Sequence, residues 1–214
     1  LFRSALVGMV VMPAAAKSGR VEVSVGLPRA RFADFARVLV AGFVTSGVPQ
    51  VDGNVETSRL LGTELRSKRG LTVVNFDPLD LQQPLTGQTE AESASQVFDN
   101  VAFWKRLGAE YAQPLIVTGT VGFKNAGHRM EERSVGRRTI RIFHPGFTLM
   151  LRLVLIDGRT GKMIESVPVD KRSAFATNNG ESPLELYFKL MEQAMPSVLN
   201  TFARSALTKR VLLP

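Results

Sequence analysis

Two histidines, His128 and His144, are the residues best suited to proton transfer or metal binding in this chain, and Glu131 and Glu132 lie between them. Imidazole and carboxylate together supply the donors of a metal centre or a general base. A site of this composition would be unusual, and two surface histidines are the simpler reading; their protonation below about pH 6.5 adds local positive charge. Paired carboxylates occur at Asp77 with Asp80 and at Glu90 with Glu92. The first pair flanks the Pro78 turn and the second sits where a helix begins, so turn and cap roles outrank acid–base work, which needs a cleft. Gly158-Arg159-Thr160-Gly161-Lys162 has the composition of a phosphate loop, but it lacks the leading glycine and opens a strand instead of a helix. It reads as a hairpin turn. No G-x-S-x-G, Walker A or G-x-G-x-x-G sequence is present.

The 214 residues carry a formal net charge of +8 and no cysteine. Disulfides, zinc-thiolate centres and cysteine nucleophiles are thereby excluded. Lys124, Arg129, Arg133, Arg137, Arg138 and Arg141 fall in one short stretch against Glu131 and Glu132 alone. Such a segment meets nucleic acid, anionic headgroups or an acidic protein, or is simply a solvated loop. Phe143 and Phe147 are available to stack on bases. However, no RNP sequence or recognition helix accompanies them, and Phe147 fits an apolar strand row better.

These residues must be positioned by elements the pattern foretells. Residues 35–43 form a nearly continuous apolar run, the mark of a strand covered on both faces. Residues 54–69 read as a helix with Asn54 as N-cap, Gly70 at C′ and Val55, Leu61 and Leu65 on one face. A strand follows over 71–76, then a polar stretch to about Thr89. A second helix spans 90–107, with Ala94, Val97, Phe98, Val101 and Trp104 at helical spacing and Gly108 as its end. Trp104 is a core anchor. Residues 114–123 form a strand in which Gly119 permits a close backbone approach. The polar basic segment 124–137 intervenes before strand character resumes at Thr139 to Phe143, pauses at Pro145-Gly146, and continues from Phe147. There Phe147, Leu149, Leu151, Leu153 and Leu155 share one face, and Thr148, Met150, Arg152, Val154 and Ile156 the other. The partner strand runs from Lys162 to Ala176, with Pro168 placing it at an edge or breaking it. After a turn at Asn178-Asn179-Gly180, Ser182-Pro183-Leu184-Glu185 forms a capping box. It opens a last helix through Leu184, Tyr187, Met191, Val198 and Phe202, kinked or divided at Pro196.

At the N-terminus, residues 1–16 place one Arg before a short apolar run and Pro13-Ala14-Ala15-Ala16. This matches the tail of a secretory signal; the alternative is a buried strand or short helix. Val21, Val23 and Val25 alternate as in a strand within the linker 17–34.

Four of these stretches carry a family likeness. They are Arg37 to Phe43, Leu60 to Arg66, Gly108-Ala109-Glu110-Tyr111 with Val117-Thr118-Gly119-Thr120-Val121, and Asp157-Gly158-Arg159-Thr160-Gly161. Over residues 35–207 the chain resembles the bacterial envelope superfamily of CsgG-type curli secretion proteins, LpoB-type peptidoglycan synthase activators and the TolB N-terminal domain. The resemblance implies an anticodon-binding-like α/β fold, a periplasmic or outer-membrane setting and action through protein contacts, with no catalytic residues to carry over. Two departures stand out. The chain lacks the cysteine that CsgG-type lipoproteins lipidate. Segment 121–146 is also too charged for the membrane-inserting hairpins of channel subunits, which favours an accessory or scaffold role.

The expectation is therefore an α/β fold: a mixed sheet of about five strands with helices on its faces, a late β-hairpin and a C-terminal helix. One domain spans 35–207, with a tail over 208–214. The expected function is non-enzymatic, without cofactor or metal. It is that of an exported scaffold at the periplasm or the inner face of the outer membrane, in a secretion, appendage or cell-wall assembly. Lys124, Arg129, Arg133, Arg137, Arg138 and Arg141 form the candidate surface for an acidic envelope protein, a second copy in a homo-oligomer, or anionic envelope phosphates. The alternative is a nucleic-acid-binding domain that uses the same segment.

Overall fold

A computed structural model describes residues 34–67, 71–74, 77–81, 96–177 and 181–202. The readings placed on 1–33, Gly70, Glu90, Glu92 and the Asn178 turn lie outside these residues. The element order is β1 (Arg37–Gly47), α1 (Gly53–Ser67), β2 (Thr72–Val73), α2 (Val101–Glu110), β3 (Leu115–Val135), β4 (Arg138–Asp157), β5 (Met163–Phe175) and α3 (Pro183–Phe202). The strands form one sheet in the order β2-β1-β3-β4-β5. β1 pairs in parallel with β2 and β3, and β4 pairs antiparallel with β3 and β5. This is the mixed sheet expected, and Pro168 does lie in an edge strand, where its missing N–H costs no ladder bond.

Alternation along the strands builds two cores. Val38, Val40 and Phe43 of β1 and Leu149 to Leu155 of β4, at every second residue, face α1 and α3, where Leu61, Leu65, Tyr187 and Met191 are buried. Leu39, Ala41, Ile116, Val154 and Ile156 face the other way, against Phe98, Trp104 and Leu107. Trp104 is fully buried, and its indole donates to the Val97 carbonyl at 2.9 Å, so the anchor is both packed and satisfied. Tyr187 joins the two helices of the first core: its hydroxyl shares a hydrogen bond with that of Thr57 and donates to the Gly53 carbonyl at 3.3 Å. Burial pushes its ionisation far above the ordinary phenol range.

Several local expectations are corrected. Asp52, not Asn54, caps α1, accepting from Val55 N at 3.0 Å. Asn54 faces inward, accepting from Phe43 N at 2.7 Å and donating to the Leu79 carbonyl at 2.9 Å. It thereby fills the gap left by the β-bulge at Gly42. Val55 is exposed, away from Leu61 and Leu65. β2 is two residues long. The second helix is interrupted at Asn100, whose carbonyl side chain accepts from Phe103 N at 3.1 Å and starts α2 afresh. Gly108 does not end that helix but lies within it. α3 is not divided at Pro196, which lies inside the one helix. Its capping box forms as expected, with Ser182 N donating to Glu185 at 2.6 Å and Glu185 N to the Ser182 hydroxyl at 3.2 Å.

The largest correction concerns 124–137. This segment is strand: β3 continues to Val135, and β4 is continuous from Arg138 through Pro145-Gly146. Beyond Phe123 and Gly146 the sheet narrows to these two strands, because β1 pairing ends at Gly47 with Phe123 and β5 pairing at Phe175 with Gly146.

Candidate interaction surface: the β3–β4 ribbon

The ribbon is built on a rigid root. Phe123 and Phe147 stack with ring centroids 5.0 Å apart, and Tyr187 meets Phe123 edge-on at 5.2 Å. A bulge between Asn125 and Gly127 follows, with Gly127 N donating to the Asn125 side chain at 2.7 Å. The twelve residues from Lys124 to Val135 of β3, the bulge included, reach about 35–40 Å from root to tip at the rise of a strand. The tip closes through Gly136-Arg137, with Gly136 at φ +62°. That positive φ at the first central position is what a two-residue hairpin turn requires, and glycine adopts it without steric cost.

Register assigns each side chain a face. Arg129, Glu131, Arg133 and Val135 oppose His144, Ile142, Ile140 and Arg138 on one face; His128, Met130, Glu132 and Ser134 oppose Pro145, Phe143, Arg141 and Thr139 on the other. The six candidate cations are therefore divided. Arg129, Arg133 and Arg138 share a face. Lys124 pairs with Thr148 at the root, Arg137 occupies the turn, and Arg141 lies on the opposite face. Arg141 Nε donates to Glu132 at 2.9 Å; with both side chains well exposed, the pair is worth about 0–1 kcal/mol. Arg133, Arg137 and Arg138 have no carboxylate partner among the described residues. Arg129 stands 6.0 Å from the centroid of the Phe175 ring, and that ring covers Gly146, where a Cβ would come within 2.5 Å of it.

The histidines part company. His128 is exposed and meets the Phe143 ring edge-on at 5.4 Å. His144 is buried rather than at the surface, its Nε2 3.1 Å from a Glu131 carboxylate oxygen, while Nδ1 has no partner among the described residues. Placed on opposite faces, the two imidazoles cannot share a ligand. Asp77 and Asp80 do not join them.

Reading 124–137 as a polar basic segment missed Met130 and Val135, and with them the apolar content that this strand shares with Ile140 and Phe143 of the next. Met130, Val135, Ile140 and Phe143 are 51%, 54%, 47% and 56% exposed. Each is large and uncovered, and all four lie on one two-stranded element. The overlooked signal was Gly136 as the first residue of a turn between Ser134-Val135 and Thr139-Ile140. Asp157 marks the other hairpin. It accepts from Arg159 through Nε at 2.9 Å and through the backbone N at 2.8 Å, and this pairing holds its carboxyl below the usual range. Gly161 N donates to the Asp157 carbonyl at 2.7 Å, so Gly158 to Gly161 is a hairpin turn and not a phosphate loop.

No described helix is long and apolar enough to cross a membrane. No protein-family model matches the chain, nor does any curated protein. Solved bacterial structures similar to it include a hypothetical protein from Chlamydia trachomatis, with 14% identity and a TM-score of 0.41 over 77% of this chain and 95% of that one. A lipoprotein from Neisseria meningitidis is 17% identical, with a TM-score of 0.38 over 78% of this chain and 99% of its own. A homolog of neuraminyllactose-binding hemagglutinin from Helicobacter pylori is 15% identical, with a TM-score of 0.39 over 78% and 82%.

Proposed function

We propose that this chain is a non-enzymatic docking domain of the bacterial cell envelope, which engages an acidic partner protein through the β3–β4 ribbon. One observation carries the reading: a ribbon that no further strand among the described residues pairs at either edge presents four large exposed apolar side chains among six cations. Unpaired strand edges offer backbone donors and acceptors to another chain. Arginine adds bidentate recognition of carboxylates, and the apolar residues supply the buried anchors that protein interfaces need. The envelope setting, at the periplasm or the inner face of the outer membrane, is supported by the sequence likeness of the Gly108 and Asp157 motifs.

A second reading is nucleic-acid binding, favoured by one feature: a two-stranded ribbon is of a width that enters a major groove. Exposed Met130 and Phe143 suit a protein surface better than a phosphate backbone. The test uses the full chain, wild type and with Arg133→Glu, Arg137→Glu and Arg138→Glu combined, as bait in envelope extract of the source bacterium. Capture of a partner by the wild type and its loss in the variant, with unchanged circular dichroism, is the expected outcome; equal capture by both would sink the proposal. Binding to duplex DNA or RNA that weakens steeply with salt would establish the second reading instead.

A further inference from the structure

Among the described residues, the sheet face that α2 covers is covered only in part. Phe98, Trp104 and Leu107 lie over Ile116, Val154 and Ile156. Farther along the strands the described residues of that layer stop, and Val44, Thr120, Met150 and Arg152, together with Phe98 and Met163 of β5, line a groove of about 490 Å³. The groove crosses β1, β3, β4 and β5. Three interstrand spacings make about 14 Å, against about 10–12 Å for the diameter of an α-helix.

Its chemistry is uneven in an informative way. The floor is low because Gly122 has no side chain; a Cβ there would stand 3.2 Å from Met150 Cε and 3.5 Å from Ser46 Oγ. Met150 lies in that hollow, and both Met150 and Met163 are exposed. Methionines are unbranched and polarizable, and they repack around an incoming surface. No carboxylate among the described residues lines the groove. Arg152 Nε donates to the Ser166 hydroxyl at 2.7 Å, which fixes the guanidinium at the groove, and no carboxylate among the described residues pairs with it.

We propose that this groove seats an amphipathic helix of a partner protein, its apolar face on Val44, Met150 and Met163 and a carboxylate against Arg152. At the groove β3 and β4 are hydrogen-bonded on both sides and β1 and β5 on one, and these backbone groups point along the plane of the sheet and not out of its face. An extended segment would find no hydrogen bonds on this face, whereas a helix brings its own. A small ligand would be poorly held, since such sites bury about 70–90% of the ligand in a concavity, and this groove is spread across four strands. The helix extends the layer that α2 begins. The surface is separate from the ribbon and stands whether or not the ribbon docks.

The experiment uses the full chain labelled at its methionine methyl groups. The probes are a designed helical peptide of about sixteen residues, or about 24 Å, with leucines at i, i+3, i+4 and i+7 flanked by glutamates, the same peptide with lysines for glutamates, and dodecanoate. Shifts of the Met150 and Met163 methyl signals with the acidic peptide, without shifts of Met130 on the ribbon or of buried Met191, are expected. Arg152→Glu should weaken the acidic peptide about tenfold and strengthen the lysine peptide. Unmoved Met150 and Met163 signals, perturbation centred on Met130, or an unchanged affinity in Arg152→Glu would each overturn the proposal. A response to dodecanoate alone would also overturn it, in favour of a site for a small anionic amphiphile.

Discussion

Replacing Gly108 and Gly62 in turn by alanine should give effects of opposite sign. Both glycines are buried in helices, Gly62 in α1 and Gly108 in α2. In an isolated helix each change gains about 0.8–1.0 kcal/mol, because glycine gives up more backbone freedom than alanine. At Gly62 the nearest neighbour of an added Cβ is the Arg66 guanidinium at 3.9 Å, an ordinary contact. Gly62→Ala should therefore be stabilising by about 1 kcal/mol. At Gly108 an added Cβ would lie 1.9 Å from the Gly158 carbonyl oxygen and 2.6 Å from its Cα, in the turn between β4 and β5. To restore even a 3.4 Å contact, backbone must separate from backbone by more than an ångström. Overpacking of this kind costs about 1–3 kcal/mol or more. Because the clash is at the upper end, the net loss after the helix gain is about 2 kcal/mol. Urea unfolding followed by Trp104 fluorescence reads both variants, and the two midpoints should move apart with unchanged slopes. If Gly108→Ala is as stabilising as Gly62→Ala, the helix does not rest on the hairpin turn and the reasoning fails.

Tyr187→Phe should cost about 1–3 kcal/mol by leaving the buried Thr57 hydroxyl and Gly53 carbonyl without their partner. Adding Thr57→Val should recover much of that loss in a double-mutant unfolding cycle; strict additivity would deny the bond. Asp157 has a folded pKa below its unfolded value, so its pairing stabilises the fold above about pH 4 and is lost as pH falls through the folded value. The stability gap between wild type and Asp157→Asn should thus be widest at neutral pH and narrow as the pH falls below about 4 through the folded value, and a constant gap across urea midpoints at several pH values would refute the assignment. Excising 126–145 and joining Asn125 to Gly146 by a two-residue turn should shift the melting temperature by no more than about 4 °C, since the main cores lie outside the ribbon. A collapse of cooperative melting would show that the ribbon holds the fold.

What the sequence disclosed and what it hid follow from where burial differs between faces. The row Phe147 to Leu155 was legible because one face meets α1 and α3 and the other largely does not, so hydrophobicity alternates at the strand period. The capping box at Ser182 and the turn at Asp157 were legible because local hydrogen bonds decide them. Asn54 was misread because an amide near a helix start looks like a cap. Its true partners, Phe43 and Leu79, are set by a bulge that appears only once β1 and β3 are in register. Gly108 looked like a helix end, yet its lack of a side chain serves contact with Gly158, fifty residues on, which no local pattern reveals.

The ribbon was hidden for the same reason that recommends it as the proposed docking element. With solvent on both faces, no difference in burial imposes alternation on 124–143, and charged and apolar residues occur on both sides. Register must then be held by other means, which here are the Gly136 turn at one end and the Phe123–Phe147 stack at the other. Isolated two-stranded hairpins are marginal in water, so a ribbon of this length draws its order from the root and leaves its outer side chains little to do for the fold. Met130 faces Phe143 across the ladder on one side, while Val135 and Ile140 lie toward the tip on the other. An acidic strand added at either edge would cover apolar surface that these four side chains leave exposed. The direct check is hydrogen exchange: amides of 128–143 should be the least protected in the sheet when the chain is alone and should gain protection selectively when a partner binds. Full protection in the free chain would mean that the ribbon is already covered, and the docking argument would lose its basis.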